Sequence, residues 1–136
     1  MPAPERAVLV DSSVLISWLG GYRTPEVVSF RAAMQSQREV YLSPLCAYES
    51  TVGIRDAAQR EQIMQWISAL PMLPSLPPEC AWRAVELHHA TKRDGQQNSN
   101  TVDLILAGLA LALDMDFLTE EKWFARHAVR HGLRVL

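Results

Sequence analysis

VLVDSSVLISWL, residues 8–19, runs from a β-branched apolar segment into an apolar stretch of helical spacing, with one aspartate at the join. Ala7 to Val10 has the composition of a short buried strand, and Ser12 to Leu19 continues with spacing that predicts a helix ended by Gly20 and Gly21. Asp11 then lies at the carboxyl end of a strand, where a charge has no business unless something there uses it.

The same strand-then-helix unit recurs along the chain. TPEVVSFRAAMQSQ opens a helix with Thr24 as cap, Pro25 at the first helical position and Glu26 in the first turn. EVYLSP predicts a strand through Leu42 followed by Ser43 as cap and Pro44 as first helical residue, with the helix running to about Asp56. AAQREQIMQWISALP is amphipathic and stops at Pro71, and MLPSLPP is an edge-strand candidate because Pro74 cannot donate to a ladder. PECAWRAVELHHATKR predicts a further helix, and KRDGQQNSN an irregular loop. Then come the apolar helix TVDLILAGLALALD with Thr101 as its expected cap, the strand DFLT, the helix EEKWFARHA and a final strand LRVL. No internal repeat or low-complexity tract interrupts this order. Alternating strands and helices predict a three-layer α/β domain, a parallel sheet covered on both faces.

With 136 residues, of which 49% are hydrophobic, the chain suits one domain over 1–136. No apolar run approaches the roughly 20 residues that cross a bilayer, and the N-terminal apolar run is too short for a signal peptide, so the expectation is a cytoplasmic protein without membrane association. Cys46 and Cys80 are far apart and sit in apolar helical patterns, which predicts buried free thiols. A net charge of −2 leaves no overall basic excess for a polyanion, so a nucleic-acid ligand needs bound cations or a local basic patch.

In open parallel sheets, sites form beyond the carboxyl ends of the strands, and this makes the positions of acids informative. Asp11 follows the first strand and Glu121 follows DFLT, so the two are expected as neighbours. Glu49 lies about two turns into the helix after the second strand, among apolar and small residues where a carboxylate needs a partner or a metal. Asp103 occupies the first turn of the apolar helix. Asp114 and Asp116 belong to the opposite edge, which removes the DMD pair from the site. Helix-end electrostatics alone account for acids such as Asp103, Glu120 and Glu121, and Asp11 has a surface N-cap as its structural alternative. Read together, the acids Asp11, Glu49, Asp103 and Glu121 form an all-oxygen set that suits Mg²⁺ or Mn²⁺ and, through such a cation, phosphodiester hydrolysis. Ser12 and Ser13 either add to that cage or to a bound phosphate, or simply start the helix.

These residues resemble the PIN-domain family, most closely its VapC-type ribonuclease toxins of prokaryotic toxin–antitoxin pairs. The family pattern of a strand ending in Asp-Thr/Ser-Ser/Asn is matched by Asp11, Ser12 and Ser13, its helical glutamate by Glu49 in SPLCAYESTVGI, and its helix-opening aspartate by Asp103 in VDLILAGLALAL. The late Thr-x-Asp-x-x-Phe pattern reads TEEKWF here, with Thr119 and Phe124 in place and Glu121 where the family usually has aspartate. The resemblance runs from Val8 to Val135. It implies a roughly five-stranded parallel sheet, Mg²⁺- or Mn²⁺-dependent cleavage of RNA, homodimerisation, and inhibition by a cognate antitoxin protein. It also implies Asp11, Glu49, Asp103 and Glu121 as metal-binding and catalytic acids, with Ser12, Ser13 and Thr119 beside the cofactor.

The competing reading is a catalytically weak PIN fold that serves as an RNA-binding or protein-interaction module, with Glu121 as the mark of decay. Arg55, Lys92, Arg93, Lys122 and Arg126 are candidate phosphate contacts or plain surface charges. His127 and His131 have i, i+4 spacing without the glutamate of a zinc-protease motif, and read as solvated helix-end histidines.

Overall fold

The computed structural model describes residues 5–98 and 100–136. Its sheet is built around β1 (Val8–Val10), which is completely buried and pairs in parallel with β2 (Val40–Tyr41) on one side and β3 (Asp116–Leu118) on the other. Leu9 faces Tyr41 across one ladder and Phe117 across the other. Two single parallel bridges, Leu42 with Met72 and Phe117 with Val135, extend the sheet at its edges. Among the described residues five parallel segments therefore lie side by side, as expected, but only three are hydrogen-bonded as a ladder. Pro71 and Pro74 flank Met72 and lack N–H donors, which limits that outer segment to one bridge. The final LRVL segment is likewise reduced to Val135.

Side chains alternate across a strand, and the core divides accordingly. Val8, Val10 and Leu118 pack with α1 (Ser12–Leu19), α2 (Pro25–Gln35), α3 (Pro44–Thr51) and α4 (Ala57–Ser68) through Val14, Leu15, Phe30 and Cys46. Leu9 and Phe117 point the other way, into α5 (Glu79–Arg93), α6 (Thr101–Ala112) and the C-terminal segment, meeting Leu87, Leu106, Phe124 and Leu133. A β-carbon on Gly108 would collide with the carbonyl oxygen of Cys80 and lie 2.8 Å from the Ala84 nitrogen, so glycine is what lets α5 and α6 touch. Both cysteines are buried and free.

Three local expectations change. The helix after β2 ends at Thr51 rather than near Asp56, and Asp56 instead caps α4, accepting the Gln59 N–H at 2.9 Å. Asn100, not Thr101, caps α6 by accepting the Asp103 N–H at 3.1 Å, because an amide oxygen one residue earlier reaches the same donor. Lys92 and Arg93, shared by the predicted helix and loop segments, form the last turn of α5, and Ser99 of that loop lies outside the described residues. The segment EEKWFARHA winds as a π-helical turn, Phe124–Ala128, followed by a 3-10 turn, Val129–His131, that ends at Gly132 with φ 102°.

Candidate functional site

Because β1 has a parallel neighbour on each side, chain connections leave its carboxyl end in opposite directions and open a crevice there. Asp11 occupies that point, only 1% exposed, with its N–H donating to the Leu118 carbonyl at 2.9 Å. It precedes the first residue of α1, yet its side chain caps no helix N–H. Instead Oδ2 accepts from both the Ser13 hydroxyl and the Thr119 hydroxyl, each at 2.8 Å, while Oδ1 is buried with no partner among the described residues. Decorative capping is thereby removed as the explanation of Asp11.

The other acids approach from separate elements. Glu49, on α3, accepts the Ser12 hydroxyl at 2.8 Å through Oε1. Thr119, directly after β3, accepts the Glu121 N–H at 3.0 Å, and Ser13 accepts the Glu120 N–H at 3.0 Å, so the turn carrying Glu121 is tied to both ends of the site. Asp103 sits half-buried in the first turn of α6. Burial raises its carboxyl from the ordinary 3.8 to about 7, aided by the negative charges of Asp11, Glu121 and Glu49. Those three neighbours are the remaining members of the expected set, so the four acids share one electrostatic environment. Cys46, underneath, has its thiol pushed up to about 12 by burial first and by Asp11 next.

Among the described residues, no three His, Cys, Asp or Glu side chains are drawn together closely enough to hold a metal ion as they stand. The donor chemistry nevertheless fits a hard divalent cation: carboxylate oxygens, one of them buried and unsatisfied at Asp11, and an aspartate whose ionisation is opposed by its neighbours. A cation lowers both costs at once. Among the described residues Glu120 also carries a buried oxygen without a partner, Oε2, but it is not among the charges that act on Asp103.

At the opposite edge, Asp116 binds Arg38 at 2.7 Å and Arg134 at 3.0 Å, and Asp114 binds Arg134 at 2.7 Å. The DMD pair thus lies at the edge expected of it, where it belongs to an ion-pair network. Lys122 pairs with Glu26 at 3.1 Å, and His131 meets Asp94 at 2.6 Å rather than standing free at a helix end. Sequence reading missed Asn100, whose signal was its position three residues before Asp103. It also missed a groove of about 480 Å³ between α1, α2 and α4, lined by Trp18, Leu19, Trp66, Leu70 and the guanidinium-bearing Arg31, since it depends on packing between distant segments. Among the described residues no helix is long and apolar enough to cross a membrane.

The family model for the PIN domain matches residues 8–130. Solved structures similar to the chain include VapBC2 from Rickettsia felis bound to a DNA fragment from their promoter, at TM-score 0.77 and 15% identity over 96% of this chain and 97% of that one. VapBC-1 from nontypeable Haemophilus influenzae matches at TM-score 0.72 and 18% identity over 96% of each chain. A toxin–antitoxin complex from Klebsiella pneumoniae matches at TM-score 0.64 and 20% identity over 87% of this chain and 90% of that one. No curated protein sequence matches the chain.

Proposed function

The chain belongs to the PIN-domain family, and from that premise we propose that it is a VapC-type, Mg²⁺- or Mn²⁺-dependent endoribonuclease, the toxin of a toxin–antitoxin pair. The observation that carries this reading is the raised Asp103 carboxyl, because its causes include the charges of Asp11, Glu121 and Glu49. Three acids from other elements that oppose the ionisation of Asp103 are poorly explained by stability and well explained by a cation.

On this reading Asp11, Glu49, Asp103 and Glu121 hold the cation, with Ser12, Ser13 and Thr119 beside it. A bound Mg²⁺ or Mn²⁺ supplies an activated water and neutralises charge on a phosphodiester. The chain's own residues do the rest. The Ser12 hydroxyl orients Glu49 through Oε1, and the backbone bonds at Glu120 and Glu121 hold the turn after β3 against the end of β1. Asp103, with its carboxyl at about 7, changes protonation near neutrality and so couples cation uptake to pH.

Residues 1–136 act on this proposal as one domain, in the cytoplasm, with RNA as substrate and a cognate antitoxin protein as inhibitor. Homodimerisation completes the family behaviour.

Cleavage of RNA by the purified chain tests the proposal. Excess EDTA abolishes cleavage and Mg²⁺ or Mn²⁺ restores it. Asp11→Asn abolishes metal-dependent cleavage in a folded protein, whereas Asp116→Asn, at the other edge, leaves the rate within about threefold of wild type, although it costs ion pairs. Undiminished cleavage in EDTA, with contaminating nuclease removed, defeats the metal mechanism. A folded chain that binds RNA but cleaves nothing under any metal supports the interaction-module reading instead.

A further inference from the structure

Between α5, the end of α6 and the C-terminal 3-10 turn lies a cavity of about 330 Å³ to which none of the four acids contributes. Its charged groups among the described residues are Arg83, Arg93 and His131, with Glu86 the acid beside them, in a chain whose net charge is −2. Much of their donor capacity is unspent. The Arg83 guanidinium lies 3.5 Å from Glu79 and 3.6 Å from Glu86, both exposed and both beyond the roughly 2.7–2.9 Å of a charge-assisted hydrogen bond. The Arg93 side chain has no ion pair or hydrogen bond among the described residues, although its charge reaches Asp94. His131 meets Asp94 through Nε2 at 2.6 Å, and this bond is the main reason the Asp94 carboxyl stays below its ordinary value. A carboxylate only accepts, so Nε2 carries the proton, the ring is fixed, and Nδ1 is left without a partner among the described residues. An adjoining cavity of about 200 Å³ shares Arg83 and His131, but its Arg134 is already committed to Asp114 and Asp116.

We propose that the larger cavity is a second binding site, separate from the acids, for a nucleoside flanked by two phosphate groups, one on Arg83 and the other on Arg93. The two arginines start about 15 Å apart along α5, too far for one small anion to satisfy both without stretching them, and they reach into the same cavity from its two ends. Between them the wall is apolar, made by Leu87, Ala90 and Leu111, which suits an uncharged sugar and base between two charges. His131, held by Asp94, offers Nδ1 to that middle portion. The volume lies at the small end of the roughly 300–1,000 Å³ usual for ligand pockets. A guanidinium takes phosphate oxygens in pairs, and beside an apolar wall such bonds are less screened than on open surface. None of these cations is among the charges that act on Asp103, so the cleft and the acid site are electrostatically distinct. The site stands whether or not the chain cleaves RNA. Its ligand chemistry has two sources, a free nucleoside bisphosphate or a stretch of single-stranded RNA.

The test uses the whole chain in EDTA, which keeps cations and cleavage out of the measurement. Titration calorimetry compares adenosine 3′,5′-bisphosphate, adenosine 5′-monophosphate and a short oligoadenylate, and NMR follows the Arg83 and Arg93 Nε–H and the His131 ring. The bisphosphate binds at least about tenfold more tightly than the monophosphate, because its second phosphate gains a second charged partner. It shifts the resonances of both arginines and of His131. Arg83→Gln and Arg93→Gln each remove most of that advantage, while Arg126→Gln, an exposed cation outside the cavity, keeps it. Raising the salt concentration weakens the bisphosphate more than the monophosphate. Oligoadenylate binding more tightly than the bisphosphate, with the same dependence on Arg83 and Arg93, identifies a strand as the source; the reverse order identifies a free nucleotide. Equal affinity for bisphosphate and monophosphate overturns the proposal. So does wild-type bisphosphate affinity in both arginine variants, or a wild type that binds neither the bisphosphate nor the oligoadenylate.

Discussion

Replacing Asp103 with asparagine is expected to make the metal-free protein more stable, while removing the proposed cation site. The Asp103 carboxyl has its folded value raised from 3.8 to about 7, so between these limits the folded state binds more protons than the unfolded one. Folding stability from this group therefore falls as pH rises: the cost is absent below about pH 4, grows through the interval and is complete above about pH 7. At 1.36 kcal/mol for each tenfold step, the full interval would be about 4 kcal/mol. The group is only half-buried, so solvent screening reduces that ceiling, and the charge also gains a few tenths of a kcal/mol at the start of α6 that asparagine gives up. A net gain of about 1–2 kcal/mol at pH 8 remains, equivalent to several degrees in Tm for a chain of this size. Among the described residues the Asp103 side chain makes no hydrogen bond, so asparagine strands no partner. Urea unfolding in EDTA at pH 8 and pH 5, compared at equal m, measures the effect. Asp103→Asn should exceed wild type at pH 8 and approach it at pH 5, and 10 mM Mg²⁺ should stabilise only the wild type by mass action. An asparagine variant that is less stable at pH 8, or whose advantage grows at pH 5, refutes the idea that crowded negative charge governs this site.

Glu121→Asp should keep most RNA cleavage and Glu121→Gln should need several-fold more Mg²⁺ for half-maximal rate, since glutamine keeps the size and loses the charge; identical Mg²⁺ titrations for wild type and the glutamine variant would remove Glu121 from the site. Gly108→Ala should destabilise the fold by about 1–3 kcal/mol in urea, because the added carbon meets backbone atoms of Cys80 and Ala84 that move only if α5 and α6 separate; an unchanged midpoint would mean the helices are not in contact there. The Cys46 thiol, pushed up to about 12 by burial and by Asp11, should be inert to a disulfide reagent at pH 8 in the native protein and react on unfolding, and rapid native labelling of Cys46 would contradict the packing beneath the site.

Much of the fold was legible because its signals are local. The β-branched run at Val8–Val10, the Thr24–Pro25 and Ser43–Pro44 helix starts and the apolar run of α6 each announce themselves within a dozen residues. The rule that sites lie beyond strand carboxyl ends then placed Asp11 and Glu121 together and sent Asp116 to the far edge, where it binds Arg38 and Arg134. Boundaries were less legible where two signals compete: Asn100 and Thr101 are both good caps, and only backbone geometry chose Asn100. The π-helical turn at Phe124–Ala128 has no sequence signature, since it reflects how Phe124 and Ala128 are accommodated in the core.

Residue types and strand-end positions are properties of short windows, so the sequence by itself determined which acids approach one edge of the sheet. It could not assign the single proton of each hydroxyl. That the Thr119 hydroxyl donates to Asp11, 108 residues away, and that Ser13 donates to the same oxygen, follows only from the tertiary arrangement. The raised Asp103 carboxyl has the same origin, because desolvation and charge repulsion depend on distance through space and on excluded water, neither of which is encoded in any one segment.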